Sequence, residues 1–239
     1  MLPQRLLLFA CILSVLPLSN LTEAPAQKYV PVLPVVETDA GGRPPADALV
    51  LFDGSGNSRF TRTDGGPADW KVEEGVLIAG DHDIITKDWF RDAQVHVEFN
   101  LPSDDPAHGN SGLYFHHLYE VQILDSHNPN RFTAKQQCAS FFNLYAPMVN
   151  VTRAPGEWQT YDILFRAARL DRRSGRVVKP ARFTILHNGV LVQYERTLWE
   201  GTGAGRRNPM VSEGPLKLQA HGSPVRFRNI WIRRLPYQP

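Results

Sequence analysis

The chain has 239 residues, a formal net charge of +2 at pH 7, and 42% hydrophobic, 10% aromatic and 21% charged residues. This composition is typical of one globular domain or two small ones, and it excludes a collagen-like, coiled-coil or largely disordered chain. A nearly neutral chain without a basic block also argues against nucleic-acid binding, because phosphate binding requires a local excess of Lys and Arg. The 19 prolines and 18 glycines indicate many turns and therefore many short strands.

Residues 1–26 have the pattern of a secretory signal peptide. Arg5 supplies one positive charge, Leu6 to Leu18 form an apolar run, and residues 24–26 form an Ala-Pro-Ala cleavage site. The apolar run is too short for a lasting span of a bilayer about 30 Å thick. We therefore expect an exported protein, periplasmic or secreted, without stable membrane insertion after cleavage; an uncleaved anchor is the alternative. Residues 27–47, rich in Pro, Val, Ala and Gly, are interpreted as an extended lead-in.

Alternating apolar and polar residues predict strands along the rest of the chain. Residues 93–101 place apolar side chains on odd positions and polar ones on even positions, which is typical of a half-buried strand, and residues 119–123 repeat the pattern. Strand-like segments also flank Asn188-Gly189, a two-residue loop that predicts a hairpin because both positions need positive φ. Beyond residue 26, no segment of ten or more residues has helical periodicity.

The last predicted strand changes its phase. Val225 and Phe227 alternate in one phase, whereas Ile230 and Ile232 alternate in the other, so a β-bulge is expected at Arg228-Asn229. About a dozen short strands with one apolar face each predict two packed antiparallel sheets. The fold class expected from the pattern alone is therefore all-β, a jelly-roll or lectin-like sandwich.

Polar residues on the predicted strands and turns suggest a candidate site. Glu120 and Gln122 share one strand face, and Asp125 reaches that face only if a bulge or the strand end redirects it. Two carboxyls that bracket an amide are suited to acid/base chemistry on a sugar, although a solvated strand face is the alternative. His221, between strands, could act as a base near neutral pH, and Asn110, in a turn, could donate to a hydroxyl or carbonyl.

Metal binding has no diagnostic motif in the sequence. Asp81-His82-Asp83 offers suitable residue types without a diagnostic spacing. The adjacent His116 and His117 are expected to point to opposite faces of a strand, where they could not bind one ion together. A divalent cation therefore remains open as a cofactor, with its ligands unknown.

A series of short motifs runs through residues 48–235. The most characteristic are Asn-Ser-Gly-Leu-Tyr at 110–114 and Tyr-Glu-Val-Gln-Ile-Leu-Asp-Ser at 119–126. The others are LFDG at 51–54, WKVEEGVL at 70–77, ITK at 85–87, PGEW at 155–158, HNGV at 187–190, GPLKLQ at 214–219, HG at 221–222 and RFRNI at 226–230. In this order they resemble a bacterial family of 3-keto-disaccharide hydrolases, also described as 3-keto-glucoside 1,2-lyases and 3-keto-2-hydroxy-glucal hydratases.

The resemblance implies a fold, a location and an activity. The implied fold is a concanavalin A-like jelly-roll sandwich of two antiparallel sheets over residues 48–235, and members of the family are usually exported. The implied activity is cleavage of 3-keto-glucosides: a base removes the C2 proton that the C3 ketone acidifies, the C1 oxygen leaves by β-elimination, and water then adds. The candidates for proton transfer at matching positions are Glu120, Asp125 and His221. The candidates for binding sugar hydroxyls or the developing oxyanion are Gln122, Asn110, Lys87 and Arg228.

The chain departs from the family's pattern at two positions. Members often carry Arg directly before the Tyr-Glu-Val-Gln segment, where this chain has Leu118, and Asp before the His-Gly pair, where it has Ala220. Because the same fold hosts proteins of different function, a non-catalytic carbohydrate-binding module is the alternative to an enzyme. Such a module would need an aromatic platform. The candidates for it are Tyr114, Tyr119, Trp199 and Trp231, of which at least two are expected in the core.

Overall fold

A computed structural model of the protein describes residues 43–128 and 130–236. The predicted signal peptide at 1–26 and most of the lead-in lie outside the described residues; residues 43–48 precede the first strand without regular structure. Within the described part of the chain, no helix is long and apolar enough to cross a membrane.

Within residues 43–128 and 130–236, nearly all regular structure is β-structure, as the alternation predicts. The strands are β1 (Leu49–Phe52), β2 (Phe60–Arg62), β3 (Lys71–Glu73), β4 (Val76–Ile78), β5 (Ile84–Thr86), β6 (Ala93–Asn100), β7 (Ser111–Phe115), β8 (Tyr119–Ile123), β9 (Trp158–Arg166), β10 (Arg169–Leu170), β11 (Val177–Lys179), β12 (Ala181–His187), β13 (Val190–Leu198), β14 (Leu216–Leu218) and β15 (Arg226–Arg234). One short 3-10 helix, Gly203–Arg207, precedes β14.

The larger of the two main sheets contains eight strands. Seven follow the order β13-β12-β9-β6-β15-β4-β3, and β1 also pairs with β15. Asn188 and Gly189 join β12 to β13 with φ values of 52° and 77°, which confirms the predicted hairpin. The register of β15 against β6 shifts between Arg228 and Trp231, and Asn229 has a φ of 46°, which confirms the bulge.

The smaller sheet has five antiparallel strands in the order β2-β5-β14-β7-β8, and it packs against the larger sheet. Phe115 of the smaller sheet lies between Phe165 and Phe183 of the larger one, at ring-centroid distances of 4.9 and 5.2 Å. All three are fully buried, and removing one such ring typically costs about 3–5 kcal/mol of stability. The fold is an all-β, concanavalin A-like jelly-roll sandwich, as expected.

Two local expectations are wrong. The outer face of β8 is not solvated, because all five of its residues are buried. Its free edge and outer face are covered: Thr202 donates to the carbonyl of Leu118 and accepts from the amide of Glu120, and the carbonyl of Ser140 accepts from the amide of Gln122.

The second wrong expectation concerns the two adjacent histidines, which do not lie in a strand. His116 and His117 form the turn between β7 and β8 and have φ values of 56° and 61°. Since strand geometry requires negative φ, the alternation rule does not apply to them. Both residues line the same cavity.

Candidate functional site

A cavity of about 330 Å³ lies on the outer face of the smaller sheet. This size is sufficient for a small ligand such as a sugar. Its polar lining comes from β7, β8 and the turns beside them, and the loop that carries the 3-10 helix covers one side. The lining residues are Asn110, Tyr114, Glu120, Gln122, Phe142, Gly203, Ala204, Gln219 and His221.

The register of the smaller sheet explains why these side chains meet. Glu120 of β8 is paired with Tyr114 of β7, which is paired with Lys217 of β14. Two residues along, Gln122 is paired with Gly112, whose carbonyl accepts from the amide of Gln219. Because side chains alternate along a strand, the side chains of both sets of paired residues point away from the core.

Glu120 is a buried carboxyl at the centre of the cavity, with only 5% of its surface exposed. Burial raises its pKa above the usual value, whereas a hydrogen bond from Tyr114 and the charge of Lys217 act in the opposite direction. Burial and the neighbouring Glu120 charge also raise the pKa of the Tyr114 hydroxyl. Tyr114 therefore remains protonated and donates to the carboxylate.

Two glycines make room for the Glu120 carboxyl. A Cβ atom at Gly112 would lie 3.0 Å from Glu120 Oε1. At Gly203, which has a φ of +50°, a Cβ atom would lie 2.6 Å from Glu120 Oε2. The covering loop can thus approach the carboxyl closely only because position 203 has no side chain.

Gln122 presents an unsatisfied acceptor. Its Nε2 donates to Asn110 Oδ1 at 3.1 Å, whereas its Oε1 is buried and has no hydrogen-bond partner. Leaving such an atom unpaired costs about 1–3 kcal/mol, so a ligand hydroxyl that donates to Oε1 would recover this energy. Because Asn110 Oδ1 accepts from Gln122, the N–H groups of the Asn110 side-chain amide remain available as donors to a ligand.

His221 lies in the exposed loop between β14 and β15, and hydrogen bonds tie this loop to the turn of Asn110. Ser223 Oγ accepts from the backbone amide of Asn110 at 3.0 Å and donates to Asp105 Oδ2 at 2.6 Å. Asp105 also accepts from the amide of Gly109 at 2.7 Å. Ser223 and Asp105 therefore hold the two loops on which His221 and Asn110 lie.

Asp83 lies beside position 220, where the chain lacks the family's usual Asp. Asp83 Oδ1 accepts from the amide of Ala220 at 2.9 Å, and Oδ2 pairs with Lys217 Nζ at 2.6 Å. Lys217 in turn lies 3.9 Å from the centre of the Tyr114 ring. An acidic group is thus present next to the His221 loop, although it comes from another part of the chain. At the other departure, Leu118 is fully buried in the core.

Three of the predicted site residues lie outside the cavity. Asp125 follows the end of β8 and pairs with Arg131 at 3.3 Å in a separate cleft, because the strand end directs it away from Glu120. Lys87 follows β5 and is exposed. Arg228 belongs to the larger sheet, where its Nε lies 2.7 Å from Glu98 Oε2. Of the seven candidates, Asn110, Glu120, Gln122 and His221 line the cavity.

Sequence reasoning missed several neighbours of Glu120. Tyr114 was considered only as an aromatic platform, and Lys217 and Gln219 only as parts of a motif. Lys217 and Gln219 alternate with the buried leucines of β14, and this alternation is the signal that could have indicated the two polar residues. No comparable signal marks Asp83 or Gly203, whose positions depend on how loops pack against the sheet.

The structure also places the aromatic residues suggested as a sugar-binding platform and the residues of the suggested metal motif. Tyr119 and Trp231 are buried and do not line the cavity, and Trp199 is exposed away from it. Within residues 43–128 and 130–236, no group of three or more His, Cys, Asp or Glu is placed to hold a metal ion. Asp83 of the suggested motif is engaged by Lys217.

The fold agrees with comparisons with known proteins. The family of 3-keto-alpha-glucoside-1,2-lyase-like domains matches residues 47–233, and the chain belongs to this family. A solved structure of a candidate glycosyl hydrolase from Parabacteroides distasonis is 37% identical, with a TM-score of 0.80 over 88% of this chain and 95% of that chain.

Two further solved structures share the fold. Both are candidate glycosyl hydrolases from the same organism and 21% identical to this chain. The first has a TM-score of 0.63, and its match covers 80% of this chain and 94% of that chain. The second has a TM-score of 0.58, and its match covers 79% of this chain and 99% of that chain. A comparison with curated proteins gives no significant match. The family expected from the motifs is thus confirmed.

Proposed function

We propose that this protein is an enzyme that cleaves 3-keto-glucosides, including 3-keto-disaccharides, by C2 proton abstraction, β-elimination at C1 and hydration. The observation that carries the proposal is the buried Glu120 carboxyl, with a raised pKa, in a cavity that also presents the unpaired Gln122 Oε1. Membership of the family supports the class of substrate.

Glu120 is the proposed general base. The C3 ketone acidifies the hydrogen on C2, and a carboxylate whose pKa is raised by burial accepts that proton more readily than an ordinary surface carboxylate. When Glu120 takes the proton, the C–H electron pair moves toward the C3 oxygen and forms an enolate. The Tyr114 hydrogen bond holds the carboxylate in position, and Gly112 and Gly203 leave it room.

Asn110, Gln122 and His221 are the proposed partners of the substrate. The enolate oxygen needs a hydrogen-bond donor, which the Asn110 amide can supply, and Gln122 Oε1 can accept from a sugar hydroxyl. The enolate then re-forms the C3 ketone, a C1–C2 double bond forms, and the C1–O bond breaks. His221 is the proposed acid that protonates the leaving oxygen. Addition of water across C1 and C2 completes the net hydrolysis.

A carbohydrate-binding module on the same fold is the second candidate function. The position of Asp125 outside the cavity favours it, because one expected proton-transfer group is missing from the site. The aromatic lining speaks against it: Tyr114 is 2% exposed and Phe142 is half-buried, so neither offers an open ring face within this cavity. The enzyme is therefore the function that the cavity supports better.

Product release from matched substrates tests the proposal. The purified protein is incubated with 3-keto-trehalose and with trehalose, and release of the free sugars is followed. We expect release from the keto substrate alone and a loss of about 100-fold or more in Glu120→Gln, as is usual for a general base. Glu195→Gln, an exposed glutamate of β13, is the control and should remain active. Saturable binding without release from either substrate would favour the binding module.

We also propose that the protein is exported, on the pattern of residues 1–26. Expression of the full chain in a bacterial host should yield a processed protein that begins at Gln27 and is found outside the cytoplasm. N-terminal sequencing of the fractionated protein measures this directly. An unprocessed protein in the membrane fraction would support the uncleaved anchor instead.

A further inference from the structure

A second and larger cavity, of about 410 Å³, lies next to the candidate site. We call it the Trp89 cleft. Its lining includes Trp89, His116, His117, Asn208, Pro209 and Glu213. None of them belongs to the cavity around Glu120, and the proposed chemistry uses none of them.

The lining of the Trp89 cleft combines an open aromatic face with polar groups. Trp89 is 57% exposed, so its ring is open to a ligand that enters the cleft. Asn208 Nδ2 donates to the carbonyl of His117 at 2.8 Å, so the Asn208 carboxamide oxygen is available to a ligand. A sugar ring suits such a lining, because its C–H face packs on an aromatic ring while hydroxyls at its edge bond amides and carboxylates.

His116 is a second and independent sign of a ligand. The residue lines the cleft, its side chain is 2% exposed, and neither ring nitrogen has a well-formed hydrogen bond. The ring packs against Phe90 and Phe165 at centroid distances of 5.1 and 4.9 Å, where burial lowers its pKa to about 4. A neutral imidazole offers one donor and one acceptor, and leaving both unpaired is costly.

The two cavities lie side by side on the smaller sheet. Residues 199–215 supply walls to both of them: Gly203 and Ala204 line the first, and Asn208 and Pro209 the second. Lys217 pairs with Asp83 and covers the Tyr114 ring, which lines the first cavity. Burial lowers the pKa of His117, which lines the second, and the charge of Lys217 lowers it further.

The strand spacing of the smaller sheet gives a scale for the separation of the two cavities. Lys217 is paired with Tyr114 of β7 on one side and with Ile85 of β5 on the other. Neighbouring strands are about 4.8 Å apart, so β7 and β5 are separated by about 10 Å. Thr63, which lines the Trp89 cleft, follows β2 and donates its amide to the carbonyl of Asp83, just before β5. This is the span that a substrate of two linked sugar rings would have to bridge to occupy both cavities.

We propose that the Trp89 cleft binds the second sugar ring of the substrate, the ring released when the C1–O bond breaks, and that the protein prefers disaccharides to simple glycosides for this reason. The proposal rests on the proposed function, because it assigns the keto sugar to the cavity around Glu120. Trp89 stacks on the second ring, and His116, His117 and Asn208 bind its hydroxyls. Trp89 is thus a specificity-determining residue that does not take part in the chemistry.

Kinetics on two substrates with the same keto sugar test the cleft. Methyl 3-keto-glucoside lacks a second ring, whereas 3-keto-trehalose has one. In Trp89→Ala we expect KM to rise about tenfold for 3-keto-trehalose, with kcat/KM for the methyl glycoside unchanged. Trp89→Phe, which keeps an aromatic face, should recover most of the affinity. Tyr194→Ala removes a similarly exposed ring from β13 and is the control. An equal effect of Trp89→Ala on both substrates, or none on either, overturns the proposal.

A binding measurement separates failure of the cleft from failure of the proposed function. Calorimetric titration with unoxidised trehalose requires no turnover and compares the wild-type protein with Trp89→Ala. If no keto-glycoside is cleaved but Trp89→Ala still weakens trehalose binding about tenfold, the proposed function fails and the cleft remains a sugar site. If cleavage occurs and trehalose binds both proteins equally, the cleft proposal fails and the function remains.

Discussion

Tyr114 and Glu120 are cross-strand partners in β7 and β8; burial raises the pKa of the Glu120 carboxyl, and a hydrogen bond from Tyr114 opposes this effect. Gln219 interacts with the Tyr114 hydroxyl, and Lys217 lies over the Tyr114 ring. The carboxyl is thus buried enough to become a stronger base and is still held by a donor. This combination is typical of catalytic carboxyls, because burial alone would leave the group protonated and without a fixed orientation.

Removing the Tyr114 hydroxyl should change the pH dependence of the reaction. Because the hydrogen bond from Tyr114 lowers the pKa of Glu120, its loss in Tyr114→Phe raises that pKa further. The acidic limb of the pH profile of kcat/KM should therefore move to higher pH, since the base is protonated over a wider range. An acidic limb that stays in place or moves to lower pH would show that Glu120 is not the titrating base.

The contact between Gly203 and Glu120 can be isolated with a matched pair of variants. Gly203 and Gly175 both have positive φ, of +50° and +68°, but an added Cβ meets Glu120 only at position 203. Both Gly→Ala substitutions should cost roughly 1–2 kcal/mol of stability through backbone strain. We expect only Gly203→Ala to lose activity as well, as measured by urea unfolding together with kcat/KM. Equal activity of the two variants would argue against a tight fit around the carboxyl.

Two residues selected from the motifs should prove dispensable for catalysis. Lys87 is exposed and Arg228 pairs with Glu98 on the larger sheet, so neither contacts the cavity. Lys87→Gln and Arg228→Gln should therefore keep kcat/KM within about twofold of the wild type. Gln122→Leu, which removes the unpaired acceptor, should lower it about tenfold or more. A large loss of activity in Arg228→Gln, with stability retained, would mean that the site extends beyond the described cavity.

His96 should make the stability of the fold depend on pH. Burial by itself would lower its pKa, but a hydrogen bond with Asp162 at 2.7 Å and the Glu98 carboxylate at 3.8 Å raise it to about 9 from 6.5. Because the folded-state pKa lies above the unfolded one, the contribution is complete below pH 6.5 and is lost as the pH rises through 9.

The contribution of His96 to the free energy of unfolding is at most about 3 kcal/mol, and solvent screening of the partly exposed Asp162 reduces it. Urea unfolding of the wild type between pH 6 and 10 should show this decline, and His96→Gln should not. Parallel pH curves for the two proteins would show that the histidine does not carry the effect.

Much of the fold could be predicted because strand alternation and turn chemistry act locally. The period of two placed Glu120 and Gln122 on one face, and the positive φ of Asn188-Gly189 required a hairpin. The same rule does not apply beyond a strand end, so it leaves the position of Asp125 open, and the structure places Asp125 in a separate cleft. It also does not indicate which of the two sheets a strand joins, so it could not show that Arg228 belongs to the larger sheet.

The contacts that define the site are long-range and leave little trace in the sequence. Gly203 is 83 residues from Glu120, as the numbering shows, and Asp83 reaches Ala220 across the smaller sheet. Nothing in their local sequence distinguishes them from other turn residues. Only the packing of loops on the smaller sheet brings them to the cavity.

The central claim is that cleavage proceeds through loss of the C2 proton, and the measurement that tests it most directly is deuterium incorporation. 3-Keto-trehalose is cleaved in D₂O, and C2 of the released keto sugar is examined by NMR, with 3-keto-glucose kept in the same buffer as a control for spontaneous exchange. Elimination followed by hydration predicts deuterium at C2 in the product from the first turnovers, and none without protein or with Glu120→Gln. Release of a keto sugar that retains its C2 hydrogen would contradict the account and indicate direct hydrolysis at C1.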